Sequence, residues 1–239
     1  MAAPNVLVIG ANRGIGIQIV KAIMERGWSV TGTTQPQDRM HSSVDDLRRT
    51  GARIAELDYL DEDNIRRVTR FYDQEPLDIL VNVGGRAFKT HYQPYGYEIP
   101  NCSFARSSSS PEALGSYLAI KHFLPKLERA ANPKIINISS GLSFISGNSF
   151  GTCMAYRAAK AALYQMSVTM AREWEKEGRK SIIVCVDLNL HSASIPAYTG
   201  ENDVERCIAF IAGVTNFIDG IGREHSGAIL NWVGSRMPV

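Results

Sequence analysis

Val6-Leu-Val-Ile9 is a run of four consecutive apolar residues closed by Gly10, and it constrains the fold more than any other feature of the chain. A strand that presents apolar side chains to both faces must be covered on both, as in a parallel sheet with helices above and below. The next segment changes period: Ile15, Ile19 and Ile23, with Val20 and Met24, recur at helical spacing until Gly27. The alternation then repeats. Strands are predicted near Trp28–Thr33, Arg53–Leu57, Asp78–Asn82, Lys134–Ile138, Ile182–Val186 and Ala228–Trp232, with helices near Val44–Arg49, Glu62–Asp73, Pro111–Arg129, Ala155–Glu177 and Val204–Ile218. Alternating strands and helices imply right-handed βαβ units. The expectation is a doubly wound, Rossmann-like α/β fold, with seven parallel strands and helices on both faces.

At 239 residues and 44% apolar content the chain suits one large α/β domain, residues 1–239, better than two. The 26 basic and 24 acidic residues are dispersed, without the basic stripe of a nucleic-acid binder. Cys102, Cys153, Cys185 and Cys207 form no CxxC pair, so neither a zinc site nor a disulfide framework is expected. The opening Met-Ala-Ala-Pro-Asn leaves no room for a leader before the first strand, and no apolar run approaches the ~20 residues of a membrane span. We expect a soluble, cytoplasmic protein without nucleic-acid or membrane partners. The stretch Gly85–Ser110 is long, aromatic-rich and without periodicity, as functional loops are.

Three groups of residues carry chemistry, two of them at predicted carboxyl ends of strands, where open α/β sheets bind ligands. Gly10-Ala-Asn12-Arg13-Gly14-Ile15-Gly16 lies between the first strand and first helix. Glycines there allow a tight turn, and the helix N-terminus favours a phosphate. The spacing is GxxxGxG, not the GxGxxG fingerprint. Ser139-Ser140 follow the fifth strand, and Tyr156 and Lys160 stand four residues apart on one helix face. A phenol near pKa ~10 needs roughly 4 kcal/mol of differential stabilisation to ionise near neutrality. An ammonium at ~4 Å supplies about that at an effective dielectric of ~20. The pair is matched to proton transfer.

In this order, with Asn82-Val-Gly84-Gly85 after the fourth strand, the residues resemble the short-chain dehydrogenases/reductases over essentially the whole chain. Within that family the sequence is most similar to carbonyl reductases of the sniffer and C-factor type, which share the stretched Ser-to-Tyr segment and an ending like Gly227-Ala-Ile-Leu-Asn-Trp-Val-Gly234. The resemblance implies an NADP-dependent oxidoreductase that reduces a ketone, aldehyde or quinone. Tyr156 would be the general acid, Lys160 would lower its pKa and hold the nicotinamide ribose, and Ser140 would bind the substrate oxygen. The cofactor would be held by Gly10, Asn12, Arg13, Gly14, Ile15, Gly16, Thr34, Asp58, Tyr59, Asn82 and Gly84, together with Tyr156 and Lys160.

The family's usual Ser-to-Tyr spacing selects Ser143, whereas position just after the strand selects Ser140, which we favour. Thr33-Thr34-Gln-Pro-Gln-Asp38 puts no acid at the end of the second strand, and Arg13 matches the basic residue of NADP-preferring members, so NADPH is expected over NADH. Three departures from the family pattern stand out. Asn-Asn-Ala-Gly is here Asn82-Val83-Gly84-Gly85, the Pro-Gly after the sixth strand is Leu188-Asn189, and the relay asparagine aligns with Glu112. With Pro111 beginning a helix there, the Glu112 carboxylate is expected to face solvent, the alternative being that it reaches inward to Lys160. The departures keep open a second function class, a nucleotide-binding fold with cyclase, dehydratase or sensor activity. The helix from Ala155, apolar on more than one face at Leu163, Met166, Val168 and Met170, leads us to expect a homodimer or homotetramer.

Overall fold

The computed structural model describes residues 3–83, 110–149, 151, 154–188 and 211–237. All seven expected strands form: β1 (Asn5–Ile9), β2 (Ser29–Thr34), β3 (Arg53–Glu56), β4 (Ile79–Asn82), β5 (Lys134–Ser139), β6 (Ile182–Asp187) and β7 (Ile229–Asn231). They join in one sheet of order β3-β2-β1-β4-β5-β6-β7, and every neighbouring pair is parallel. The order turns back at β1, so the chain winds one way through β2 and β3 and the other way through β4 to β7. The carboxyl ends of β1 and β4 therefore flank the switch point at which such sheets bind ligands.

The helices are α1 (Gly14–Glu25), α2 (Ser42–Arg49), α3 (Glu62–Thr69), α4 (Ser110–Leu127), α5 (Met154–Lys176) and a last described stretch, α6, at 211–217. Alternation along the central strands divides the core. Val6 and Val8 pack with Ile19, Val20 and Ile23 of α1 and with Ile211 and Val214 of α6, while Leu7 and Ile9 pack with Ile65, Ile120, Phe123 and Trp174 on the opposite face. The α4 side of that second layer is closed by Phe123, fully buried and edge-on to Tyr72 at 6.1 Å.

One register line of the sheet is polar. Asn82 pairs with Asn137 across β4 and β5, and Asn137 pairs with Cys185 across β5 and β6. The Asn82 amide donates to the Asn137 side-chain oxygen at 2.8 Å, and the Asn137 amide donates to Ser167 Oγ at 2.9 Å. Ser167 in turn donates to the Leu163 carbonyl at 2.8 Å, and Cys185 Sγ reaches Ser167 Oγ at 3.4 Å. All four residues are buried, and burial pushes the Cys185 thiol up to about 11. Buried polar groups are tolerated only when bonded to one another, so this line fixes α5 in register against the strands just below the site. Replacing Asn137 by Ala should therefore lower unfolding free energy by about 2–4 kcal/mol in urea titration, because Asn82 and Ser167 each lose a buried partner. A loss under ~1 kcal/mol would show that the line does not tie α5 to the sheet.

Candidate active site

The turn after β1 is built for close approach. Gly10 (φ 83°) and Gly14 (φ 54°) occupy left-handed backbone, and a Cβ on Gly16 would come within 2.0 Å of the Gly10 carbonyl oxygen. Gly14 faces open space, since an added Cβ there meets nothing within 4 Å. The Gly10 N–H donates to Thr33 Oγ1 at 3.1 Å and the Ala11 N–H to the Thr33 carbonyl at 2.9 Å, which pins the turn to β2. Asn12 is buried and donates to Ser43 Oγ at 2.9 Å, holding the turn to α2. At α1 the N-cap residue is Arg13, which makes no side-chain cap, and the first turn carries no acid. The first N–H groups and the positive end of the helix dipole are thus left for an anion. An exposed cradle of this kind fits a dinucleotide pyrophosphate, and Ile15, the second residue of α1, lies within it.

The end of β2 departs from expectation. Thr34 ends the strand, buried, with its hydroxyl lacking a partner among the described residues. Pro36 then starts a 3-10 turn, Pro36–Asp38, that swings the Asp38 carboxylate back onto Arg13 at 2.5 Å. The strand end carries no acid, as read from the sequence, yet an acid four residues on does reach the basic residue assigned to the phosphate. Arg13 remains about half exposed. On the neighbouring strand end, Asp58 accepts from the Leu60 N–H at 2.9 Å. The Tyr59 ring lies against Gly115 of α4, where any Cβ would come within 2.6 Å of it, and its hydroxyl meets Asn82 Oδ1 at 3.4 Å. Tyr59 thus also holds α4 to β4. Gly84, the aromatic residues from Phe88 to Phe104, and Asn189 lie outside the described residues.

The catalytic candidates come together at the ends of β5 and β6. Ser140 follows β5 directly, is buried, caps the next turn by accepting from the Leu142 N–H at 3.2 Å, and is hydrogen-bonded to Tyr156. Ser143, the alternative, is also buried, but its hydroxyl has no partner among the described residues. Arg157 donates to the Gly151 carbonyl at 2.9 Å and to the Leu142 carbonyl at 3.3 Å. It thereby ties both ends of the stretched Ser-to-Tyr segment to α5. One helical turn after Tyr156, Lys160 is buried with its Nζ 5.5 Å from the phenol ring centroid, and it donates to the Ile138 carbonyl at 2.7 Å.

Two acids that sequence reasoning placed elsewhere or missed complete the cluster. The α4 helix does begin at Ser110, as expected, but Glu112 does not face solvent: it is 5% exposed and ion-paired with Lys160. A buried ammonium in need of a counter-charge outweighs the small gain available at an exposed helix N-terminus. Asp187, at the end of β6, is buried, and its Oδ2 would lie 3.0 Å from a Cβ on Gly141. Its signal in the sequence was only its position as the last residue of a strand ending at the site.

The electrostatics follow from these placements. At 5.5 Å an ammonium favours a phenolate by about 3 kcal/mol at an effective dielectric of ~20. Burial nonetheless holds the Tyr156 hydroxyl above the ordinary tyrosine value, because Glu112 and Asp187 oppose the lowering effect of Lys160. Lys160 does lower the Tyr156 value, as expected, and burial outweighs it. For Lys160, burial pulls downward, but Glu112 and Tyr156 outweigh it and keep the ammonium charged. Burial raises the Glu112 carboxyl against the pull of Lys160.

With this geometry in view, the comparisons with known proteins are direct. The short chain dehydrogenase family model matches residues 4–189. The chain is 26% identical over 168 residues to the C-signal protein of Myxococcus xanthus, covering 68% of this chain and 93% of that protein. Another curated relative is longer, and the match spans 63% of its length. Among solved structures, the fold superposes on the carbonyl reductase Sniffer of D. melanogaster with a TM-score of 0.83 at 19% identity, over all of both chains. On an NADPH-bound carbonyl reductase from chicken fatty liver it superposes with a TM-score of 0.81 at 22% identity, again over all of both chains. The chain belongs to the short-chain dehydrogenase family of oxidoreductases.

The turn geometry gives a prediction. Gly16→Ala should abolish dinucleotide binding measured by calorimetry, since its Cβ cannot share space with the Gly10 carbonyl and the turn must open. Binding within twofold of the parent would show that the turn does not form the cradle.

Proposed function

We propose that the protein is an NADP-dependent carbonyl reductase, acting on a ketone, aldehyde or quinone. The observation that carries this reading is the Ser140–Tyr156–Lys160 cluster, in which the buried Lys160 Nζ lies 5.5 Å from the Tyr156 ring centroid. A bound nicotinamide would supply the hydride. Tyr156 gives its proton to the substrate oxygen, and Ser140 donates a hydrogen bond to that oxygen as charge grows on it. Lys160 holds the nicotinamide ribose and Asn82 steadies the strand end beside it. The Gly10–Gly16 turn would hold the phosphates, and Asp58 and Tyr59 would lie toward the adenine. Similarity to an NADPH-bound carbonyl reductase supports the substrate and cofactor class.

Preference for the 2′-phosphate rests on Arg13, which the Asp38 pair both orients and partly neutralises. The alternative reading, a non-redox nucleotide-binding protein, draws on the departures at Val83-Gly84 and Leu188-Asn189, but does not use the protonated Tyr156 beside a buried ammonium. A homodimer or homotetramer and a cytoplasmic site of action belong to the same proposal. Light scattering reads the former.

Two outcomes follow. NADPH should bind more tightly than NADH, and Arg13→Ala should weaken NADPH at least tenfold while leaving NADH nearly unchanged. Equal dissociation constants in the parent protein would refute the preference. Tyr156→Phe should lower NADPH-linked reduction of a carbonyl panel by about 10²–10⁴-fold while NADPH binding persists. Near-normal turnover would remove Tyr156 from the chemistry.

A further inference from the structure

The reductase reading needs a phenol, an ammonium and a hydroxyl, and does not call for a carboxylate behind the ammonium. Glu112 is nevertheless buried there, from the first turn of α4, and paired with Lys160. Lys160 Nζ is thereby held from two elements, by the Ile138 carbonyl at 2.7 Å from β5 and by Glu112 from α4. Tyr156 from α5 and Cys185 from β6 act on Lys160, and Asp187, also from β6, acts on Tyr156. Glu112 and Asp187 act on the phenol with the sign opposite to that of Lys160.

We propose that Glu112 is a positioning residue that fixes the Lys160 ammonium and, as its buried counter-charge, offsets the field of that ammonium at the phenol, so that carbonyl reduction is sustained to higher pH than the Tyr156–Lys160 pair alone would allow. The inference rests on the carbonyl-reductase reading and deepens it. In reduction, hydride brings two electrons from the reduced dinucleotide to the carbonyl carbon and leaves the dinucleotide oxidised. The C=O π bond opens, the oxygen takes the Tyr156 proton, and the phenolate regains a proton from solvent. The reverse reaction starts from the phenolate. A group that disfavours the phenolate moves the alkaline limb of reduction and the acid limb of oxidation upward together, and leaves the overall equilibrium untouched.

The test compares the parent with Glu112→Gln and Glu112→Asp, using NMR titration of ring-labelled tyrosine with the Tyr156 signal assigned by its loss in Tyr156→Phe. In the parent, Tyr156 should titrate above free tyrosine. Glu112→Gln should lower that midpoint by about one to two pH units, and Glu112→Asp should keep it within half a unit. The alkaline limb of the reduction kcat should move by the same amount. A Tyr156 midpoint at or below that of free tyrosine in the parent overturns the proposal, even if Glu112→Gln does not fold. An unmoved midpoint in a folded Glu112→Gln, with kcat lowered equally at every pH, also overturns it and leaves Glu112 a purely structural partner. Absence of NADPH-linked carbonyl turnover in the parent would instead count against the reductase reading, and the Tyr156 titration would still decide what Glu112 does.

Discussion

A buried ammonium organises this protein's site. Lys160 is almost wholly removed from water, and an isolated charge there would sooner lose its proton than pay the cost of desolvation. Three elements meet to prevent that. The end of β5 supplies the Ile138 carbonyl, α4 supplies Glu112, and α5 places Tyr156 one turn before the lysine. The polar register line from Asn82 through Asn137 to Ser167 lies beneath this meeting point and fixes the same strands and helix relative to one another. Positioning of the charge and rigidity of the scaffold are thus one arrangement, because the residues that lock α5 also set where Lys160 stands.

The second charge arrangement lies across the sheet, beside the Gly10–Gly16 turn. Arg13 and Asp38 come from different βα turns and meet only because a proline-started 3-10 turn folds the chain back after β2. This pair is solvent-accessible on the arginine side, so its net worth is small and a ligand phosphate can compete for the guanidinium. The Lys160 pair is the opposite case: neither partner has water to turn to, and separation would strand a buried charge. The half-exposed pair beside the Gly10–Gly16 turn can exchange its partner, whereas the buried pair at the ends of β5 and β6 holds one geometry.

Much of this was legible in the sequence because the physical causes are local. Continuous apolar runs such as Val6–Ile9 and Ile182–Val186 can only be strands covered on both faces, and the strands observed lie within two residues of those read from the pattern. Ser140, Tyr156 and Lys160 were legible from their order and from helical spacing. Glu112 was not, since an acid in the first turn of a helix is satisfied by solvent and dipole alone, and only the packing of α4 against α5 shows that it turns inward. Asp38 was hidden for a related reason: the absence of an acid at Thr34 was read correctly, but a turn that returns a later carboxylate to Arg13 has no periodic signature. Tyr59 was read toward the cofactor, and its ring also packs on Gly115, a contact between residues far apart in the chain.

The same distinction explains why the sign of the Tyr156 shift could not be read from the Tyr-Lys spacing. Four residues on a helix put phenol and ammonium near each other, and that pair alone argues for an easily ionised phenol. The protonation state of a buried group depends on the sum over everything around it, including desolvation, which always favours the neutral form. Here burial adds to Glu112 and Asp187, and together they exceed the single positive charge. A spacing motif therefore identifies which groups exchange the proton, whereas the tertiary charge balance decides which side of the exchange the resting enzyme occupies. In this chain that balance favours the neutral phenol, the form that the proposed carbonyl reduction requires.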